Sequence, residues 1–254
     1  MPDLIISTAG PVTTLTLNRP DRRNALSTAL LEALQTAMNA ATIDPTCRAV
    51  ILRGAGPVFC AGLDFHEAND PAVAHRSATA LAGVYRAIVN APFPVIAAAH
   101  GAAFGGGAGL IAAADLAVVS ADLQLGYPEV HRGLVAALVS VLLRPQLPAR
   151  RLRELLLLGQ TLTAAEAREA GLVDRLVFQD LDGAARDLAE QSLTGAPGAI
   201  ARTKRLLATL DRLDEDLTLA LDYHLQARNS SEATEGILAF MEKRAPVWGV
   251  RKPE

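Results

Sequence analysis

An α/β body followed by a helical tail is the fold that this 254-residue sequence predicts. Three observations predict it. Short Val/Leu/Ile runs alternate with helix-spaced segments over the first three quarters of the chain. A unit of strand, glycine-bearing loop and helix recurs around Leu52, Ile96 and Val118. Beyond Phe178 the pattern is almost wholly helical, broken by Gly195-Ala196-Pro197-Gly198.

The elements follow in order. Val12 to Leu17 alternates Val and Leu with Thr, the period-2 mark of a strand, and Asn18-Arg19-Pro20-Asp21 reads as a turn. Ser27 is the expected N-cap of a helix to Ala41, with Leu30, Leu31, Leu34 and Met38 on one face. Ala49-Val50-Ile51-Leu52 is a second strand, closed by Gly54-Ala55-Gly56-Pro57. Phe59 to Asp64 is another strand-to-loop junction, and a helix is expected over Ala72–Asn90. Pro94 to Ala99 enters the glycine element Gly105-Gly106-Gly107, which opens an Ala-rich helix. Leu116 to Val119 is a strand, Pro128 to Leu143 is expected to be largely helical, and strand–helix alternation runs on to Leu176–Phe178. In the tail, Leu206, Leu207, Leu210, Leu213, Leu217 and Leu221 recur near helical spacing, a face that needs a partner. The composition shift places a boundary near Gly195, with a body over residues 1–195 and a helical region over 196–254.

Bulk properties exclude several classes. Half the residues are hydrophobic, 20% are charged and the formal net charge is -3, so no nucleic-acid surface is expected. Cys47 and Cys60 make no disulfide framework and no C-x-x-C. With no signal- or transit-peptide pattern at Met1-Pro2-Asp3-Leu4, a cytoplasmic setting is expected. Between Pro92 and Ala114 the one ionisable side chain is His100, a length that could span a bilayer. Its prolines and glycines favour a buried strand–turn–helix, and no membrane association is expected. Neither a G-x-S-x-G elbow nor a His-x-x-x-His pair is present, so no elbow serine and no metal site are expected. Gly105-Gly106-Gly107 contains G-x-G, yet the last glycine of a dinucleotide fingerprint and its ribose acid are missing.

The chemistry concentrates at two glycine junctions. Glycines at a strand-to-helix junction leave backbone N–H groups uncovered at the positive end of a helix dipole. Ala61-Gly62-Leu63-Asp64 and Gly105-Gly106-Gly107 can each offer one such N–H, and two converging on one oxygen would stabilise negative charge there. A tight turn with close packing is the structural alternative. Glu129, after Tyr127 and Pro128, heads the next expected helix, where a carboxylate serves either as a dipole partner or as an acid–base group.

These blocks together resemble the crotonase (enoyl-CoA hydratase/isomerase) superfamily. The resemblance rests on Phe59-Cys60-Ala61-Gly62-Leu63-Asp64, on Pro94 to Ala98 leading into Gly105-Gly106-Gly107, and on Pro128-Glu129. Asn18 to Leu26 resembles the family's N-terminal signature, Leu162-Thr163-Ala164 through Asp174 a later one, and Phe240-Met241-Glu242-Lys243-Arg244 its C-terminal one. The likeness covers about Val12 to Arg244.

The resemblance implies a spiral of repeated β-β-α units with a helical C-terminal trimerisation region, assembled as a homotrimer or a dimer of trimers. It implies an acyl-CoA substrate and no separate cofactor, coenzyme A being part of the substrate. The backbone N–H groups of Leu63 and Gly106 would hold the thioester oxygen and Glu129 would be the acid–base group. Ala61, Asp64, Gly105 and Tyr127 would line the substrate. Arg22 and Arg23 would lie near the CoA phosphates, and Phe240 and Lys243 would contribute to a neighbouring subunit's CoA site. The family's hydratases carry a first glutamate three residues beyond the middle glycine of the triplet. Here that position is Gly109. Hydration uses two carboxylates, whereas one suffices to move a double bond, so the sequence leans toward isomerisation. A hydratase with a recruited His66, His131 or Tyr127, or an acyl-CoA-binding protein without strong catalysis, are the rival readings. Asp64 suits capping its loop better than reacting. The helix itself should tolerate a side chain at Gly109 if the pocket has room.

Overall fold

The computed structural model describes residues 1–67, 71–210, 213–244 and 246. Two strands, β1 (Leu4–Ala9) and β2 (Val12–Leu17), pair as an antiparallel hairpin. In β2 the residues Thr13, Leu15 and Leu17 point inward, the alternation that its sequence carries. Helix α1 (Thr28–Ile43) starts at Ser27, whose side chain accepts a hydrogen bond from the Leu30 N–H. It buries Leu30, Leu31, Leu34 and Met38 in the main core.

From there the chain repeats itself. β3 (Ala49–Gly54) is followed by a bridge residue, Cys60, and then by helix α2 (Pro71–Val89). β4 (Val95–Ala99) is followed by β5 (Ala102–Phe104) and α3 (Gly106–Ala113). β6 (Leu116–Ser120) is followed by β7 (Gln124–Gly126), a 3-10 turn at Pro128–Arg132 and α4 (Ala137–Leu143). The first strands of the three units pair in parallel, β3 with β4 and β4 with β6. The second strands also align: Cys60 bridges Ala103 and β5 pairs with β7, both in parallel. Each unit stacks on the one before, which makes the spiral of β-β-α turns.

The chain then runs through α5 (Ala149–Leu158), β8 (Thr161–Thr163), α6 (Ala164–Glu169), β9 (Arg175–Val177) and α7 (Leu181–Leu193). β8 joins β7 in the smaller sheet and β9 joins β6, so the larger sheet reads β1-β2-β3-β4-β6-β9. Its central strands are buried on both faces. Val50, Leu52, Val95 and Ala97 face the main core; Ala49, Ile51, Ile96 and Ala98 face a second core capped by Ala185, Leu188 and Ala189 of α7. Continuous apolar runs, rather than alternating ones, are what such strands require.

The tail comprises α8 (Pro197–Leu210), α9 (Leu213–Arg228) and α10 (Ser231–Met241), with the predicted break between Leu193 and Pro197. Lys204 of α8 reaches into the body: its Nζ donates to the carbonyls of Ile88 and Phe93 and pairs with Asp115. α9 packs on α2 and α4, and α10 packs on the 3-10 turn at Pro128–Arg132.

Pro128 to Leu143 is largely helical, in two pieces: Gly133, at φ 65°, ends the 3-10 turn in the left-handed region, and α4 starts four residues later. One expectation is corrected: the leucines of the tail do not form a single stripe. Leu206 and Leu207 are exposed on α8 while Leu217 is fully buried on α9, because the chain breaks between these helices; the side chains of Leu210 and Leu213 lie outside the described residues. The stretch from Pro92 to Ala114 is divided among β4, β5 and α3, and no helix of the described residues is long and apolar enough to cross a membrane.

One buried polar side chain ties the N-terminal loop to the first unit. Asn24 donates from Nδ2 to the carbonyls of Ala55, Val58 and Phe59 at 2.8, 2.9 and 3.1 Å, and its Oδ1 accepts the Arg19 N–H at 2.8 Å. Truncation strands these partners, each left unsatisfied at a cost of about 1–3 kcal/mol where no water enters. Asn24→Ala is therefore expected to lower unfolding stability by about 2–4 kcal/mol, read from urea midpoints. A change below about 0.5 kcal/mol would show that the loop is held by other contacts.

Candidate active site

The three repeated units each deliver one group to the same place. Leu63 follows the Cys60 bridge, Gly106 follows β5, and Glu129 follows β7, each two or three residues after its short strand. Because those short strands lie side by side, the three groups converge on one cleft. It is walled by Ala61 to Leu63 and Phe65, by Phe104 to Gly106, and by Pro128, Glu129, Arg132 and Leu134, and it encloses about 40 Å³.

The backbone around Leu63 is fixed by bonds on either side. The Leu26 N–H donates to the Gly62 carbonyl at 2.7 Å, the Asp64 N–H to the Leu26 carbonyl at 3.2 Å, and the Ala61 N–H to the Arg23 carbonyl at 2.9 Å. In a parallel bridge the residue between such bonds turns its own N–H the other way. Among the described residues the N–H groups of Leu63 and Gly106 donate no hydrogen bond. Gly106 is the first residue of α3, where an unpaired N–H and the helix dipole coincide. Gly105, the N-cap, has φ 50° and ψ -119°, a conformation open to glycine. A Cβ built there would also lie 3.1 Å from Glu129 Oε1, which fixes how near the carboxyl stands to the glycine turn.

Glu129 is half-buried, and its Oε2 is shielded from solvent with no hydrogen-bond partner. Burial pushes its pKa up to about 7, against the smaller downward pulls of a backbone N–H and of Arg132. An acid poised there can give or take a proton near neutrality.

Position 109 differs from what its sequence suggested. There is no room for a side chain: a Cβ on Gly109 would lie 2.0 Å from Tyr85 Oη and 2.6 Å from Val139 Cγ1. Tyr85, fully buried on α2, occupies that space and donates from its hydroxyl to the Gly106 carbonyl at 2.9 Å. Burial pushes the phenol pKa well above its usual value, and the nearby Tyr127, Glu129 and Cys60 add to the rise. Sequence reasoning missed Tyr85, which sits at an ordinary apolar position of an amphipathic helix.

The remaining predicted residues divide into those at the cleft and those behind it. Ala61 and Gly105 line it. Asp64 is 7% exposed and turned into its loop, pairing with Arg19 at 2.9 Å and accepting the His66 N–H at 3.1 Å. Tyr127 is buried beneath the cleft rather than lining it, and burial raises its phenol pKa. Arg22 and Arg23 are exposed, with Arg22 Nη1 3.1 Å from His66 Nε2. His131 is exposed, its ring against Gly159. Phe240 lies over this same chain's Arg132, whose guanidinium carbon is 4.4 Å from its ring centroid, and Phe65 packs beside Phe240, with its own centroid 5.6 Å from that carbon and 5.5 Å from the Phe240 centroid. Lys243 is exposed at φ 55° just past α10. Both cysteines are free and buried, and among the described residues no acidic, His or Cys cluster could hold a metal ion.

The Tyr85 contact generates a stability prediction. Gly109→Ala should destabilise the fold by about 1–3 kcal/mol through overpacking, although alanine ordinarily favours a helix interior. Denaturant unfolding measures it; a neutral or stabilising effect would mean that Tyr85 does not hold this space.

The enoyl-CoA hydratase/isomerase family model matches residues 7–251. A carnitinyl-CoA dehydratase of Proteus mirabilis is 34% identical, over 96% of this chain and 97% of its own length. Among solved structures, an enoyl-CoA hydratase from Mycobacterium avium is 38% identical with a TM-score of 0.87, covering 97% of this chain and 99% of its own. An enoyl-CoA hydratase/isomerase from Pseudoalteromonas atlantica is 29% identical with a TM-score of 0.88, covering 98% and 100%. With the β-β-α spiral, these matches make the chain a member of the enoyl-CoA hydratase/isomerase (crotonase) family.

Proposed function

We propose that this enzyme binds an acyl-CoA thioester and moves a proton through a thioester enolate, with Glu129 as its single acid–base group, and that it favours isomerising an enoyl bond over hydrating it. The observation that carries the reading is one buried carboxyl beside two unpartnered N–H groups in one cleft. The Leu63 and Gly106 N–H groups would hold the thioester oxygen as it gains negative charge, most strongly in the transition state. Glu129 would take the proton from carbon 2 and return it to carbon 4, shifting the double bond from 3,4 to 2,3. Arg22 and Arg23 on the exposed rim would meet the CoA phosphates.

A lean toward isomerisation is supported by position 109, where Tyr85 fills the place that a second carboxylate would need. Hydration is the second reading, favoured by the names of relatives: a carnitinyl-CoA dehydratase and an enoyl-CoA hydratase are 34% and 38% identical. Rates on matched 2-enoyl and 3-enoyl thioesters decide between them. Isomerisation faster than hydration is expected; the reverse would overturn the single-acid argument. Glu129→Gln preserves shape and removes the base, and is expected to lower turnover by at least ~10²-fold with thioester affinity nearly kept. Near-normal turnover would move the chemistry elsewhere.

The pH profile of kcat/KM gives an independent check, with opposite signs for the two readings. Isomerisation starts from the Glu129 carboxylate, so the rate should rise as pH passes upward through about 7. Hydration in which Glu129 delivers a proton to carbon 2 starts from the carboxylic acid, and its rate should fall over the same interval.

We also propose a trimer-based assembly. Leu157, Leu158, Phe178, Leu206 and Leu207 are exposed on the single chain, apolar side chains that a neighbouring subunit would cover. Light scattering at micromolar concentration is expected to give three or six chains. A monomer would contradict the assembly, together with any part for Phe240 and Lys243 in a neighbour's site.

A further inference from the structure

Arg132 has no part in the proton transfer proposed above, yet it lines the same cleft. Among the described residues that wall the cleft, Glu129 and Arg132 are the ionisable ones. They stand three residues apart on a 3-10 turn, so they share a face, with Arg132 about 6 Å farther along at the ~2 Å rise of such a turn.

The guanidinium is held but not neutralised. Phe65 and Phe240 pack on it from two segments, and the backbone of Gly236 lies so close behind Arg132 that a Cβ there would fall 2.5 Å from its carbonyl carbon. Nη1 donates a long bond of 3.3 Å to the Pro128 carbonyl. Nε is buried with no hydrogen-bond partner, and among the described residues no carboxylate stands within ion-pair distance. Burial pulls the Arg132 pKa below its usual value and Glu129 pushes it back. Buried cations are ordinarily paired, and a fixed, desolvated, unpaired one is a donor in want of an acceptor. Its planar fork suits a carboxylate or a phosphate, and beside the acyl-end acid Glu129 the carboxylate is the acceptor an acyl chain can bring.

We infer that Arg132 selects acyl groups ending in a carboxylate a few C–C bonds beyond the reacting carbons, so that the preferred substrates are CoA thioesters of short dicarboxylic acids. This inference rests on the thioester reading of the cleft. Glu129 works at the α-carbon end, the guanidinium holds the far end, and Phe65 and Phe240 keep water from the pair.

Calorimetric titration of the full chain at pH 6, where Glu129 is largely protonated, tests this with three probes: glutaryl-CoA, pentanoyl-CoA and free CoA. Wild type should bind glutaryl-CoA at least ~10-fold tighter than pentanoyl-CoA, as a single charge-assisted contact allows. Arg132→Gln should bring that ratio near one and leave free CoA affinity unchanged. Arg132→Lys should keep part of the preference, because charge remains without the fork. A wild-type ratio of one or less overturns the inference whether or not the variants fold. So does a ratio that survives in Arg132→Gln, or an equal loss for free CoA, which would assign the guanidinium to the coenzyme. The reaction itself is judged separately. Matched 2-enoyl and 3-enoyl thioesters that are not turned over, alongside the expected binding preference for glutaryl-CoA, sink the proposed chemistry and leave the role of Arg132 standing. Failure of every thioester to bind wild type sinks both.

Discussion

The close approach of successive spiral turns is the constraint on which the site depends. A Cβ on Gly62 would lie 2.7 Å from the Phe104 carbonyl oxygen, and one on Gly107 2.5 Å from the Cys60 carbonyl oxygen. Real side chains do not tolerate such distances, so these glycines set the spacing between the first and second units. That spacing brings the Leu63 and Gly106 N–H groups to one cleft. Gly101 obeys the same rule: its backbone, at φ 62°, lies against the Pro57 carbonyl so closely that a Cβ would fall 2.1 Å away. The donors are backbone groups, so the register of the sheets fixes them more than any side chain does.

What the sequence reveals of this arrangement follows from how local each signal is. Strands that alternate or run apolar, the Ser27 cap, the break before Pro197 and the repeated strand–loop–helix unit are written in neighbouring residues, and the structure contains them. The resemblance in the glycine blocks brings Leu63, Gly106 and Glu129 together on paper, and the fold does place them around one cleft. What was hidden is what needs long-range packing. Nothing near Tyr85 in the chain signals that its hydroxyl will meet Gly106, a contact made across 21 residues. The aromatic pair against Arg132 joins Phe65, Arg132 and Phe240, from three separated segments. Gly109 read as an open position because a missing side chain looks like space, whereas glycine here marks space already taken.

Electrostatics in the cleft follow from the same packing. In a site with two carboxylates, mutual repulsion would raise one pKa and leave the other low. With one carboxylate, burial does that work alone and brings Glu129 to about 7, where both of its protonation states are populated near neutrality. Arg132 limits the rise by its charge but makes no bond to the carboxyl that would lock it ionised. The acid is thus kept desolvated and uncommitted, which is the condition for taking a proton from carbon and giving it back.

Tyr85 supports the proposal that the chemistry rests with Glu129. A phenol in place of a second carboxylate looks like a candidate base, but its environment works against that role. It is fully buried, and Tyr127, Glu129 and Cys60 each raise its pKa further, so the hydroxyl remains neutral. A neutral hydroxyl with one proton can donate once, and that donation goes to the Gly106 carbonyl. The bond steadies the first turn of α3, the turn that presents the Gly106 N–H. Under the proposed mechanism Tyr85 is therefore a positioning residue: it occupies the room of an acid, holds the backbone that a second acid would otherwise stand upon, and would leave a single group free to exchange protons with a substrate.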